Sequence, residues 1–128
     1  MQYRHPKIYD FFINFLYPKK LMEKFREEVG TGMTIFEVAA GYGRMSRYID
    51  SSNLYYGIDL NPIFVASGRN QGINLDIKDI FDPAAYKTAD IYILVDVIHH
   101  LDGEKLRKMR SAVKVSKSEI IKIEILCL

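Results

Sequence analysis

Four carboxylates and a pair of glycines carry the chemistry this chain can offer. Glu37, Asp59, Asp79 and Asp96 each fall at the end of a short apolar run, and Gly41 and Gly43 shape the turn that follows the first of them. Capping of the next turn explains any one of these acids, but an unpaired carboxylate is costly under loops, and four together point to a ligand. Ala39, Ala40, Gly41 and Gly43 are small enough to let another molecule approach the backbone closely. Glycines at a strand-to-helix turn also serve geometry alone, so they do not identify the ligand. Glu37 narrows the choice. A pyrophosphate laid against the turn would be repelled by a carboxylate just before it, whereas an ammonium group would be attracted. The dinucleotide pattern G-x-G-x-x-G is also incomplete, because Ser46 occupies its third position. Asp59, about twenty residues on, suits a ribose diol with either ligand. His99 and His100 are the nearest general-base candidates, and since neighbouring residues point different ways, one of the two is expected to be structural or solvated.

Hydrophobic periodicity predicts the helices and strands around these residues. Ile8, Phe11, Phe12, Phe15 and Leu16 form the stripe of an amphipathic helix over residues 7–17, which Pro18 ends. A second helix is expected over about 19–29, with Leu21, Phe25 and Val29 on one side and Gly30 as its cap. The first strand is expected at 35–39, and after the glycine turn a helix carries Met45, Tyr48 and Ile49 inward. Strands follow at 54–59, 73–77, 91–95 and 119–126. Helices are expected from Pro62, a favoured first-turn residue, to about Asn70, and over 103–115, with a short helical turn at Asp82-Pro83. Alternating strands and helices at this spacing predict an α/β fold with a parallel, doubly wound sheet, whose ligands bind outside the carboxyl ends of the strands. Residues 1–30 are then a helical flank or lid, and residues 31–128 the ligand-binding domain.

Composition bounds the remaining possibilities. A chain of 128 residues, 48% hydrophobic and 27% charged, is one globular domain large enough for a real core. Its net charge of +2 demands no acidic partner, and Lys105, Arg107, Lys108, Arg110 and Lys114 are expected to be a solvated helix face, so no nucleic acid is expected. Residues 8–17 are too short and too polar to span a bilayer, and no cleavage-site pattern follows them, so no membrane association is expected. The single cysteine, Cys127, has no partner for a disulfide or a metal site, which agrees with a cytoplasmic protein.

Four segments in order resemble the class I S-adenosylmethionine-dependent methyltransferases. They are Phe36-Glu37-Val38-Ala39-Ala40-Gly41-Tyr42-Gly43-Arg44, Tyr56-Gly57-Ile58-Asp59-Leu60-Asn61-Pro62, Asp76-Ile77-Lys78-Asp79-Ile80-Phe81 and Val95-Asp96-Val97-Ile98-His99-His100-Leu101. The resemblance implies a Rossmann-like sheet of about five strands in the order 3-2-1-4-5, with S-adenosylmethionine as cofactor and a small-molecule methyl acceptor as substrate. It further implies that the turn from Ala39 through Gly41 to Gly43 packs beneath the methionine part of the cofactor, with Glu37 placing its amino group. Asp59, with Leu60 beside it, would take the ribose hydroxyls. Asp79 would accept from the adenine amino group, the backbone of Ile80 would meet the ring, and Asp96 would lie beside the methionine end.

The sequence departs from that family in two places. Ala39 stands where the first glycine often lies, which is expected to be a mild change at the end of a strand. The family's sheet has seven strands, whereas this chain stops at the fifth, so the domain is expected to be truncated at its carboxyl end relative to the family. The alternation of Ile121, Ile123 and Ile125 with Lys122 and Glu124 gives strand 119–126 one wet face and the character of an edge. That edge is expected to pair with a second chain, as a homodimer, or to be shielded by the N-terminal helices. A non-catalytic S-adenosylmethionine-binding or interaction module that lacks a complete acceptor site is the alternative to an enzyme, and a nucleotide-cofactor oxidoreductase is disfavoured by Glu37 and Ser46.

Overall fold

The computed structural model describes residues 19–95, 102–114 and 122–125. Within them, five parallel strands form one sheet: β1 (Thr34–Val38), β2 (Leu54–Asp59), β3 (Leu75–Ile77), β4 (Ile91–Val95) and β5 (Lys122–Ile125). Their order is β3-β2-β1-β4-β5, so the direction of winding reverses between β1 and β4. This is the order 3-2-1-4-5 implied by the resemblance. Helix α1 (Lys19–Val29) precedes β1, α2 (Pro62–Asn70) joins β2 to β3, and α3 (Gly103–Lys114) joins β4 to β5.

Alternation along the strands sends side chains to two faces, and both are covered. On one face Ile35, Ile91 and Ile93 pack with Met22, Phe25 and Val29 of α1 and with Met45 and Ile49. Phe36, Val38, Tyr56, Ile58, Tyr92 and Leu94 line the other face, against Ala85, Ala89 and Met109 of α3. Aromatic contacts bind that second face together: the Phe36 ring lies 5.1 Å from Tyr56, 5.2 Å from Tyr86 and 5.4 Å from Tyr92. Among the described residues no helix is long and apolar enough to cross a membrane.

Two elements are shorter than the periodicity predicts. The segment after the glycine turn is a five-residue 3-10 helix, Arg44–Tyr48. Its cause is local: the Ser46 backbone N–H and hydroxyl both donate to the Gly43 carbonyl, at 3.0 and 2.6 Å, holding that oxygen in the tighter turn. Strand β3 begins at Leu75 rather than Ile73 because α2 ends in a left-handed cap. There Gly72 has φ 80°, and the Ile73 N–H donates back to the Gly68 carbonyl at 3.0 Å. The helix expected over 7–17, the flanking parts of strand 119–126, and Asp96, His99 and His100 lie outside the described residues.

Candidate functional site

The site begins where β1 runs out. Beyond Val38 the backbone turns left-handed three times, at Ala39 (φ 54°), Gly41 (φ 60°) and Gly43 (φ 81°). Only glycine takes this region freely, so Ala39 is the surprise. A methyl group there is not the mild change expected at a strand end, because the strand stops at Val38 and Ala39 belongs to the turn. Left-handed backbone costs an L-residue roughly 1–2 kcal/mol, strain the surrounding contacts must offset.

Those contacts are specific. The Ala40 N–H donates to the Ile58 carbonyl at 2.8 Å, and the Gly43 N–H donates to the Ala40 carbonyl at 2.9 Å. Asp59, the last residue of β2, accepts from the Gly41 N–H on Oδ2 and from the Asn61 N–H on Oδ1, both at 2.8 Å. It therefore clips the glycine turn to the start of α2, whose first N–H groups are capped by the Asn61 side chain.

Three glycines make room for this arrangement, and each would be crowded by a methyl group. At Gly57 an added Cβ would lie 2.7 Å from the Ala40 Cβ and 2.9 Å from the Tyr55 hydroxyl. One at Gly68 would lie 2.4 Å from the Tyr42 carbonyl oxygen, and one at Gly43 would lie 2.6 Å from Ile73 Cγ2. Gly41 differs, since an added Cβ would meet only Phe64 at 3.9 Å. The space a side chain would take at Gly41 is therefore open apart from Phe64.

Glu37 is the one buried acid beside this turn among the described residues, at 3% exposure. In register it lies between Gly57 of β2 and Ile93 of β4. Because Gly57 has no side chain, Tyr55 on the same face of β2 reaches along the strand and donates its hydroxyl to Glu37 Oε1 at 2.5 Å. Burial pushes the Glu37 carboxyl up to about 8; the Tyr55 hydrogen bond opposes this, the Asp59 charge adds to it, and the Arg44 charge opposes it. Burial, with the neighbouring Glu37, also raises the Tyr55 phenol well above its usual range, so it remains a donor at neutral pH. Arg44 is itself buried and donates from Nη2 to the Tyr48 hydroxyl at 2.7 Å. A buried carboxyl perturbed in this way is a candidate functional group rather than a turn cap.

Of the other predicted residues, Leu60, Asp79 and Ile80 are among those described, and they follow the carboxyl ends of β2 and β3. Leu60 is 65% exposed and directly follows the Asp59 clip. The Lys78 N–H donates to the Asp59 carbonyl at 3.2 Å, which draws the segment after β3 alongside the end of β2. In that segment Asp79 is exposed and its Oδ1 accepts from the Phe81 N–H at 2.9 Å, while the Ile80 carbonyl accepts from the Tyr86 hydroxyl at 2.6 Å. Capping of the next turn thus accounts for one contact of Asp79 and one of Asp59, whose other oxygen reaches back to Gly41, and it leaves Glu37 unexplained. Tyr55, Gly57, Gly68 and Arg44 were not among the sequence-predicted site residues. The period-two pattern of β2 could have found Tyr55, since it places Tyr55, Gly57 and Asp59 on one face.

Comparison with known proteins follows the same lines. Residues 36–119 match a family model described as a methyltransferase domain. No curated protein sequence gives a significant match. Among solved structures, magnesium protoporphyrin IX methyltransferase from Synechocystis, with bound S-adenosylhomocysteine, is similar over 80% of this chain and 52% of its own, at 16% identity and a TM-score of 0.65. An S-adenosylmethionine-dependent methyltransferase from Clostridium acetobutylicum is similar over 91% of this chain and 54% of its own, at 19% identity and a TM-score of 0.66. TehB from Haemophilus influenzae is similar over 80% of this chain and 37% of its own, at 15% identity and a TM-score of 0.64. The chain therefore spans about half or less of the length of these structures.

Proposed function

The chain belongs to the methyltransferase-domain family, whose cofactor is S-adenosylmethionine, and from that premise we propose that it binds this cofactor and methylates a small molecule. The observation that carries the reading is the pairing of Glu37, a buried carboxyl, with a left-handed turn that borders open space at Gly41. The donor set fits the cofactor at each of its ends. Glu37 offers a carboxylate to the ammonium group, and the backbone from Ala39 to Gly43 a small-residue floor for the methionine chain. Asp59 keeps free lone pairs on its clipped oxygens for the ribose hydroxyls, beside the apolar Leu60. Asp79 and the Ile80 backbone are assigned to the adenine, and Asp96 to the methionine end.

The turn opens a 3-10 helix of only five residues, which offers little of the helix-end field that a pyrophosphate uses. This weighs further against a dinucleotide. When bound, S-adenosylmethionine supplies an electrophilic sulfonium methyl group. The protein's part is alignment, which can supply up to roughly 7–11 kcal/mol without covalent help. His99 and His100 are the candidates for taking a proton from the acceptor. A cytoplasmic location is part of the same proposal, consistent with the single cysteine.

Calorimetric titration with S-adenosylmethionine, S-adenosylhomocysteine and a nicotinamide dinucleotide tests the reading. Saturable binding of both adenosyl ligands without the dinucleotide is expected; failure to bind either adenosyl ligand overturns it. Methyl transfer is checked separately with a radiolabelled methyl donor across candidate small-molecule acceptors.

A further inference from the structure

Glu37 raises a question that the cofactor assignment leaves open. A carboxyl at 3% exposure, on the sheet face that Ile35 and Ile93 share, is costly unless a hydrogen-bond partner satisfies it. Tyr55 supplies the fix. Its hydroxyl donates to Glu37 Oε1 at 2.5 Å, through the gap left by the missing Cβ of Gly57.

Resting on the reading above, we propose that Tyr55 is a positioning residue: its phenol fixes the Glu37 carboxyl beside the glycine turn, so that Glu37 gives up its proton as the ligand's ammonium arrives. The balance is simple. The Glu37 O–H bond breaks, its electron pair stays on the carboxylate, the proton leaves to solvent, and the new carboxylate accepts a hydrogen bond from the ammonium.

The groups facing Glu37 set the direction of the effect. From β2, the Tyr55 hydroxyl favours the charged form and the Asp59 charge opposes it; from the 3-10 helix, Arg44 favours it, with its Nη2 bonded to the Tyr48 hydroxyl. Burial outweighs these and leaves Glu37 protonated in the free protein at neutral pH, with its titration pushed up to about 8. Below that value each binding event must release the proton, so affinity is expected to rise by roughly tenfold per pH unit. The rise ends where Glu37 is already charged or where the ligand's own ammonium loses its proton.

The test is the pH profile of S-adenosylhomocysteine binding, from pH 6 to 9, for the wild type and for Tyr55→Phe, alongside direct NMR titration of the Glu37 carboxyl in both free proteins. Wild-type affinity is expected to climb with pH. Tyr55→Phe is expected to bind roughly tenfold more weakly at pH 7, with its profile and its Glu37 titration both displaced to higher pH. A Tyr55→Phe loss that is equal at every pH, or an unmoved Glu37 titration, overturns the inference, since a merely structural role for the phenol predicts that result. If the wild type binds no adenosyl ligand at any pH, the cofactor reading fails. The carboxyl titration then still judges Tyr55, since a displaced Glu37 titration supports the orienting bond and an unmoved one overturns it.

Discussion

The two ends of the sheet use the same bonding device for different purposes. At the amino end, Asn53 accepts from the Met33 N–H at 2.8 Å and donates to the Gly30 carbonyl at 2.9 Å, Ser52 accepts from the Gly32 N–H at 2.9 Å, and Asp90 accepts from the Thr34 N–H at 2.8 Å. At the carboxyl end Asp59 does likewise for Gly41 and Asn61. A polar side chain on a backbone N–H at a strand end is therefore not in itself the mark of a site. A groove opens at the amino end, lined by Glu23, Arg26, Glu27, Gly30, Thr31 and Asp50, with an Arg26–Asp50 ion pair at 3.1 Å. Its acids face solvent. What sets the carboxyl end apart is an acid that is buried, oriented by a phenol, and next to backbone strained into the left-handed region.

Glycine replacement sharpens that contrast most strongly. Gly68→Ala should be the most damaging of these changes, because its new Cβ meets the Tyr42 carbonyl oxygen at 2.4 Å and Leu75 at 2.2 Å. A loss of about 3 kcal/mol or more in denaturant unfolding is expected. Gly32→Ala, at the amino end, meets nothing within 4 Å and should cost only the strain of its positive φ, about 1–2 kcal/mol. Equal losses would remove the claim that the carboxyl-end turn is the more tightly fitted.

Stability against pH separates the ends next. A carboxyl whose folded value lies above its unfolded one binds its proton more tightly when folded. The contribution of Glu37 is therefore complete below its ordinary value of 4.5 and is lost as pH rises through about 8. Unfolding free energy of the ligand-free protein should fall across that window, and Glu37→Gln should flatten the fall. Asp50, at the amino end, has the opposite sign: the Ser52 backbone and hydroxyl hold its carboxyl below the usual range, so its contribution is lost only as pH falls through the acid range.

Of the two clips, only one should matter for ligand. Asp59→Ala is expected to weaken S-adenosylhomocysteine binding about tenfold or more, as loss of a charged hydrogen bond worth roughly 1.5–3 kcal/mol predicts. Asp90→Ala should leave affinity unchanged and cost about 1 kcal/mol of stability. The smallest effect belongs to Ala39→Gly, where relief of left-handed strain is partly offset by the greater freedom of unfolded glycine. A net gain of about 0.5–1 kcal/mol is expected by thermal or denaturant unfolding.

Much of this fold is legible in the residues. β2, α2 and β4 occupy the spans that their apolar runs and the Asn61-Pro62 start predict, and the sheet order follows the family resemblance. Local hydrogen bonds decided what periodicity missed. Ser46 tightened a predicted helix into a 3-10 turn, and the Gly72 cap claimed Ile73 from β3. At the site, Glu37 and Asp59 were recognisable as acids at strand ends, but their different fates were not. Whether an acid ends as a half-buried clip or a fully buried carboxyl depends on what lies across the strand, here a glycine that admits Tyr55, and a one-dimensional pattern does not register that pairing.

A pair of ligands isolates the meeting of Glu37 with a cation at the carboxyl end of the sheet. S-adenosylhomocysteine carries the ammonium group, whereas methylthioadenosine shares the nucleoside and thioether and lacks it. Calorimetric affinities of both for the wild type and Glu37→Gln give the answer directly. Glu37→Gln is expected to weaken S-adenosylhomocysteine binding by about tenfold or more and to leave methylthioadenosine binding unchanged. Equal weakening of both ligands, or of neither, contradicts it.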